Sequence, residues 1–256
     1  MRIILNQGLP SKNGIATFSG KLAIFLFPVA VGGICCQVSG QSLRHQLLRL
    51  LKPMRERLPD SPGSIVKAFF ESLPEIKRQL ESDANSIAEN DPAATCTDEV
   101  IMTYPGFYAI LVYRLANRLA LSGVPLIPRV MTEHAHSLTG IDIHPKATID
   151  SPFFIDHGTG IVIGETAVIG SRVKLYQGVT IGALSVSKEM ACTKRHPTIE
   201  DNVIIYAGST ILGGDTVIGH DSIIGGNVWL TKSIPPFSLV YHENIMKVRE
   251  LDNNSL

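Results

Sequence analysis

From residue 41 to residue 138 apolar side chains return at three- and four-residue intervals, the spacing that puts them on one face of a helix. Ile65, Phe69, Leu73, Ile76 and Leu80 form one stripe, with Ser64 as the expected N-cap and Pro74 expected to kink or interrupt the run. Phe107, Ile110, Leu111, Leu115 and Leu119 form a second, entered after Pro105-Gly106 and closed by Gly123. A third, short helix is expected from Pro128 to Leu138, stopping before Gly140. Between the first two stripes, Asn90-Asp91-Pro92-Ala93 carries turn chemistry.

After Gly140 the period becomes six. Aliphatics fall at Ile143, Ile149 and Ile155, then at Ile163, Ile169, Leu175 and Ile181. They resume at Ile199, Ile205 and Ile211, then at Ile218, Ile224 and Leu230, so the steps between groups are eight, eighteen and seven residues. Neither a 3.6-residue helix nor an alternating strand makes period six; three short strands per turn of a triangular prism do. Each turn buries its inward aliphatics only against neighbouring turns, so stability grows with their number. The two extra residues near Asp156-His157 and the one near Gly213-Gly214 mark irregular corners. The eighteen-residue step would place Ser187 and Thr193 in an apolar stack, so Ala183 to Pro197 is expected as a loop thrown out of the prism. The fold class is therefore α+β: an N-terminal α-helical domain, then a parallel β-helix of hexapeptide repeats with one extruded loop.

Composition removes several function classes. Lysine plus arginine equals aspartate plus glutamate, 23 each, which leaves no basic footprint for nucleic acid or an anionic membrane. Cys35, Cys36, Cys96 and Cys192 show no metal-ligand spacing, and free thiols in a reducing cytoplasm are expected. Cys192, in the polar loop, is expected to be a bystander thiol. The run Leu22 to Ile34, preceded by Arg2, Lys12 and Lys21, resembles the start of a signal peptide. It is too short to span a bilayer comfortably, and no A-x-A-like cleavage site follows. Residues 1–40 are expected to be a disordered or docking extension, with membrane association not expected. His134, His136, His144 and His157 lie close in sequence, but the first two sit on a predicted helix outside the coil, and no metal is expected.

Hexapeptide coils are associated with acyl transfer, a fold-level analogy that specific residues sharpen. Gly140-Ile141-Asp142-Ile143-His144-Pro145 and Asp156-His157-Gly158-Thr159-Gly160-Ile161-Val162-Ile163-Gly164-Glu165-Thr166 resemble the serine O-acetyltransferase family of cysteine biosynthesis. Lys194-Arg195-His196-Pro197, Gly225-Gly226-Asn227-Val228-Trp229-Leu230, the Asn90 turn and the Pro105-Gly106-Phe107…Tyr113-Arg114 helix are similar to the same family. The resemblance covers roughly Leu48 to Pro236. It implies a left-handed coil over 140–236, a helical domain over 41–139 that assists oligomerisation and the serine site, and a tail over 237–256.

The resemblance also implies an activity: acetyl transfer from acetyl-CoA to the hydroxyl of L-serine, without a covalent acetyl-enzyme. His157 would be the general base and Asp142 its orienting partner, a pairing that suits imidazole chemistry near neutral pH. Spacing alone places Asp142 beside Val162 instead, so this pairing rests on the family. Arg195 and His196 would meet the serine carboxylate, and Asp91 and Asp156 its ammonium. Glu165 would support the site from behind. Coenzyme A would lie along a groove between coils, where Gly182, Ala183, Ala207, Gly208, Gly225 and Gly226 let it approach the protein backbone. The family further implies trimers or paired trimers, inhibition by L-cysteine, and a C-terminal tail that binds O-acetylserine sulfhydrylase. This chain ends in Leu256 where that tail ends in isoleucine. The competing readings are an acetyltransferase for homoserine or a sugar, and a non-catalytic scaffold.

Overall fold

The computed structural model describes residues 8–28, 38–185 and 193–243. Among the described residues six α-helices come first: α1 (Lys12–Leu26), α2 (Gly40–Leu51), α3 (Pro62–Asn90), α4 (Thr97–Thr103), α5 (Pro105–Leu121) and α6 (Ile127–Thr139). Within the stretch 1–40, expected as a disordered or docking extension, Lys12–Leu26 is a helix. Ile15, Phe18, Leu22 and Leu26 are buried along one face of it, and Ser11 Oγ caps it by accepting from Gly14 N at 3.2 Å. Ile15, Phe18, Leu22 and Leu26 recur at three- and four-residue spacing, a helical stripe that begins before the Leu22–Ile34 run. Cys35, Cys36 and Cys192 lie outside the described residues, as do the centre of the extruded loop and residues 244–256. Among the described residues, no helix is long and apolar enough to cross a membrane.

Two further expectations change in α3. Its cap is Ser61, not Ser64: Ser61 Oγ accepts from Ser64 N at 3.1 Å, and Pro62 stands at the first turn, where a missing N–H costs nothing. Pro74 does not end the helix, which runs on to Asn90. The proline lies on the exposed face, while the expected stripe of Ile65, Phe69, Leu73, Ile76 and Leu80 is buried on the other and holds the helix through it.

The period-six region is a left-handed β-helix of three parallel sheets. The first sheet runs β1 (Asp142–Ile143), β4 (Val162–Ile163), β7 (Thr180–Gly182), β10 (Thr210–Leu212), β13 (Trp229–Leu230). The second holds β2 (Thr148–Ile149), β5 (Val168–Ile169), β8 (Thr198–Ile199) and β11 (Val217–Ile218). The third holds β3 (Phe153–Ile155), β6 (Val173–Leu175), β9 (Ile204–Ile205), β12 (Ile223–Ile224) and β14 (Leu239–Val240). The aliphatics picked out by period become three stacked columns. Ile143, Ile163, Ile181, Ile211 and Leu230 are in register in the first sheet. Ile149, Ile169, Ile199 and Ile218 form the second column, and Ile155, Leu175, Ile205, Ile224 and Val240 the third. Strand pairing thus carries the coil past Pro236, to Val240.

The register also explains the long step. Ile181 is in the first sheet and Ile199 in the second, the next side of the same turn. The extruded segment is therefore an insertion at one corner.

α5 welds the helical domain to the coil. Gly106 abuts β3 so closely that a β-carbon would stand 2.5 Å from the carbonyl oxygen of Ile155. Tyr113 Oη donates to Ala147 O at 2.7 Å, and Asn117 Nδ2 to Pro145 O at 2.9 Å. Arg114 is buried and forks onto Asp83 of α3, with Nε to Oδ2 at 2.6 Å and Nη2 to Oδ1 at 2.8 Å. Nη1 also donates to Ile149 O and Nη2 to Asp150 O, while Asp83 Oδ1 also accepts from Phe153 N and Ser151 Oγ. Every side-chain polar atom of this buried pair has a hydrogen-bond partner, the condition under which such a pair is tolerated in a core.

Candidate functional site

The proposed site residues divide between two corners of the prism. His157 and Asp156 follow β3 and precede β4, at the corner from the third sheet to the first. Here the two inserted residues force an irregular path: His157 has φ +54°, and Gly158 and Gly160 both have φ +82°. A left-handed conformation is uncommon for a side-chain-bearing residue, and it turns the imidazole outward with 71% of its side chain exposed. Gly158 has no alternative, because a β-carbon would overlap the Ile141 side chain. His157 Nδ1 stands 3.5 Å from Asp156 Oδ1.

Asp91, the C-cap of α3, comes to this same corner, close enough to His157 for their charges to interact. Its Oδ2 accepts from Tyr104 Oη at 2.6 Å and its Oδ1 from Ala93 N at 2.8 Å. These two bonds, the tyrosine first, hold the Asp91 carboxyl below its usual range, and the same bond pushes the Tyr104 phenol up to about 12. Lys174 Nζ, on the outer face of the third sheet, donates to Asn90 Oδ1 at 2.6 Å and ties the turn to the coil. A cavity of about 710 Å³ lies beside this tie, between α3 and the third sheet.

Arg195, His196 and Glu165 occupy the other corner, from the first sheet to the second. Thr166, which sequence reasoning passed over, organises them. Its Oγ1 accepts from Arg195 N at 2.9 Å and from His196 N at 3.1 Å, and its carbonyl accepts from Lys194 Nζ. Its own N–H donates to His196 Nδ1 at 3.1 Å, which leaves the imidazole proton on Nε2. Burial, then the Arg195 charge, push the His196 imidazole down, so it is neutral at pH 7. Two glycines make room. A β-carbon on Gly164 would fall inside the His196 ring, and one on Gly214 would overlap the Lys194 carbonyl. The extra residue at Gly213-Gly214 is thus the corner yielding to the base of the extruded segment.

Glu165 pairs with Arg195 Nη2 and with Lys146 Nζ, the latter at 3.0 Å. Partial burial pulls its carboxyl up, but the bonds from Arg195 and Lys146 outweigh this and hold it at about 2. Burial, reinforced by Arg129, pushes the neighbouring His144 down to about 4.

Within the chain, Asp142 and His157 have different partners. Asp142 is aligned with Val162 in the next turn, as its spacing implies, and lies 3.8 Å from Arg129 Nη1. Glu133, His136 and Asp142 offer ligand atoms within 4.8 Å of one another, but Arg129 already supplies a cation to both carboxylates.

The small residues assigned to coenzyme A also split. Gly182 and Ala183 lie at the first-to-second corner; Ala207, Gly208, Gly225 and Gly226 lie at the third-to-first. Gly208 has φ +72° and is covered by the Asn227 side chain. Gly225 is packed against Val240 O and Tyr241 of its own chain, so its small size already serves the last turn of the coil. His242 completes that turn, its Nε2 lying 3.0 Å from Asn227 O.

No family model matches the chain. A plasmid-borne serine acetyltransferase of Synechococcus elongatus is 51% identical over 193 residues, 73% of this chain and 60% of that relative. The serine acetyltransferase of Bacillus subtilis is 43% identical over 163 residues, 64% of this chain and 73% of the relative. Among solved structures, Entamoeba histolytica serine acetyltransferase 1 in complex with L-cysteine superposes with a TM-score of 0.76 at 37% identity, over 89% of this chain and 86% of that one. At these identities and coverages, the chain belongs to the serine acetyltransferase family.

Proposed function

We propose that the protein transfers the acetyl group of acetyl-CoA to the hydroxyl of L-serine, giving O-acetyl-L-serine and CoA, in a site assembled between two copies of the chain. The observation that carries this reading is the division of the polar residues between two corners separated by the whole first sheet. One corner holds the exposed base, His157, with Asp91 and Asp156; the other holds Arg195, His196 and Glu165. Around a threefold axis the first kind of corner meets the second kind on the neighbouring coil. Asp142, on the outer side of the first sheet, then faces the neighbour's imidazole rather than its own.

The chemistry follows from the groups. The His157 imidazole takes the serine hydroxyl proton as the oxygen attacks the thioester carbon. The carbonyl π electrons move to oxygen and return as the C–S bond breaks, and the imidazolium gives its proton to the departing thiolate. Arg195, oriented by Glu165, offers planar charge to the amino-acid carboxylate, with His196 Nε2–H as a neutral donor beside it. Asp91 and Asp156 take the ammonium. Coenzyme A lies along the intercopy groove, against Gly182, Ala183, Ala207, Gly208 and Gly226. L-Cysteine carries the same ammonium and carboxylate as serine, so the same groups would hold it as an inhibitor.

The test is thiol release from acetyl-CoA with serine, homoserine and simple sugars as acceptors, alongside the mass of the assembly in solution. Preferential turnover of serine by a trimer or a multiple of trimers is expected. An active monomer, or a preference for another acceptor, would overturn this reading.

A further inference from the structure

We propose that Tyr104 is a positioning residue for ammonium recognition, its hydroxyl fixing the Asp91 carboxylate toward the third-to-first corner of the coil. This rests on the reading of Asp91 as a serine-binding group. Asp91 itself stands on little: it ends α3 and opens a short irregular segment before α4. Its carboxylate would swing freely without a second anchor. Tyr104 supplies that anchor from a rigid place. Its N–H donates to Val100 O at 3.1 Å, closing α4, and its carbonyl accepts from Tyr108 N at 3.2 Å, opening α5. Pro105 follows and restricts Tyr104 to extended backbone, observed at φ −82° and ψ 118°.

The geometry divides the carboxylate's capacity. Tyr104 occupies one lone pair of Oδ2 and Ala93 N one of Oδ1, which leaves one acceptor position on each oxygen for an ammonium. With its phenol pushed up to about 12, Tyr104 remains a donor throughout the working range and is excluded as the proton acceptor of the reaction. Glu99, Asp156, His157 and Tyr176 are the other titratable groups within electrostatic reach of this pair.

The experiment compares serine and acetyl-CoA saturation for the full-length protein and its Tyr104→Phe, Asp91→Asn and doubly substituted forms. Loss of one hydrogen bond to a charged group predicts a serine KM about tenfold higher for Tyr104→Phe. Its kcat, its acetyl-CoA KM and its melting midpoint should stay near those of the parent. The double variant should be no worse than Asp91→Asn, because coupled residues do not add. If Asp91→Asn weakens serine binding and Tyr104→Phe does not, the role of Tyr104 is overturned and Asp91 stands. If Asp91→Asn leaves the serine KM unchanged, the reading of Asp91 fails and the inference with it. Additive effects would make Tyr104 a direct substrate contact, and a fall in kcat and melting midpoint together would make it merely structural. Either result overturns positioning through Asp91.

Discussion

The imidazole of His196 lies directly over the Cα of Gly164, two sides of one corner packed so closely that no side chain fits between them. Gly164 belongs to the stretch that also carries His157, and His196 to the base of the extruded segment. One glycine therefore sets the position of a residue thirty-two places further along. Gly164→Ala should expel the ring, raising the serine KM tenfold or more, while the coil keeps its circular-dichroism spectrum. An unchanged serine KM would separate His196 from serine binding.

His157 is exposed and contributes little to packing, so removing it tests chemistry without unfolding the protein. His157→Ala is expected to lower kcat by about a hundredfold or more, the usual scale for a lost general base. The melting midpoint should hold. Near-parent turnover by a folded variant would remove His157 from the mechanism.

Thr166 tests the scaffold behind Arg195. Thr166→Val keeps the shape but deletes the acceptor shared by two backbone N–H groups. A loss of about 1–3 kcal/mol in stability is expected, with a higher KM for serine than for acetyl-CoA in relative terms. Chemical denaturation and two-substrate kinetics read the two effects separately.

Glu165 gives a pH signature. Its carboxyl is held at about 2, below its ordinary 4.5, so its stabilising bonds are fully present above pH 4.5. Between pH 4.5 and 2 the unfolded chain takes up the proton first, and the contribution is lost. Glu165→Gln should therefore lower the melting midpoint by a constant amount near neutrality, and the difference should shrink as pH falls below 4.5. A difference that is independent of pH over that window would show that the Arg195 and Lys146 bonds do not depend on the charge.

Arg114 reports on the joint between the domains. Arg114→Met leaves Asp83 buried without its partner and should cost about 3–5 kcal/mol, measured from the urea midpoint. Asp83→Asn, which keeps one acceptor, should cost less.

The coil follows from the order of the residues. Inward side chains at period six can satisfy only one backbone, so the period alone implies the column of Ile143, Ile163, Ile181, Ile211 and Leu230. The breaks in that period marked His157 and Arg195 for the same reason: an extra residue has no inward place and must leave the prism. The helical stripes of α3 and α5 were equally local, and so is that of α1, where Ile15, Phe18, Leu22 and Leu26 are buried while Lys12, Asn13, Thr17 and Lys21 are exposed, although Gly14 and Gly20 weaken its helical propensity. Tertiary structure alone decided which residues share a corner. That Tyr104 meets Asp91, that Thr166 holds Arg195 and His196, and that Asp142 faces Arg129 depend on how the domain and the turns stack. Such contacts join side chains whose spacing follows no backbone period. Periodicity is a property of one strand or helix, and a site is a property of what lies beside it.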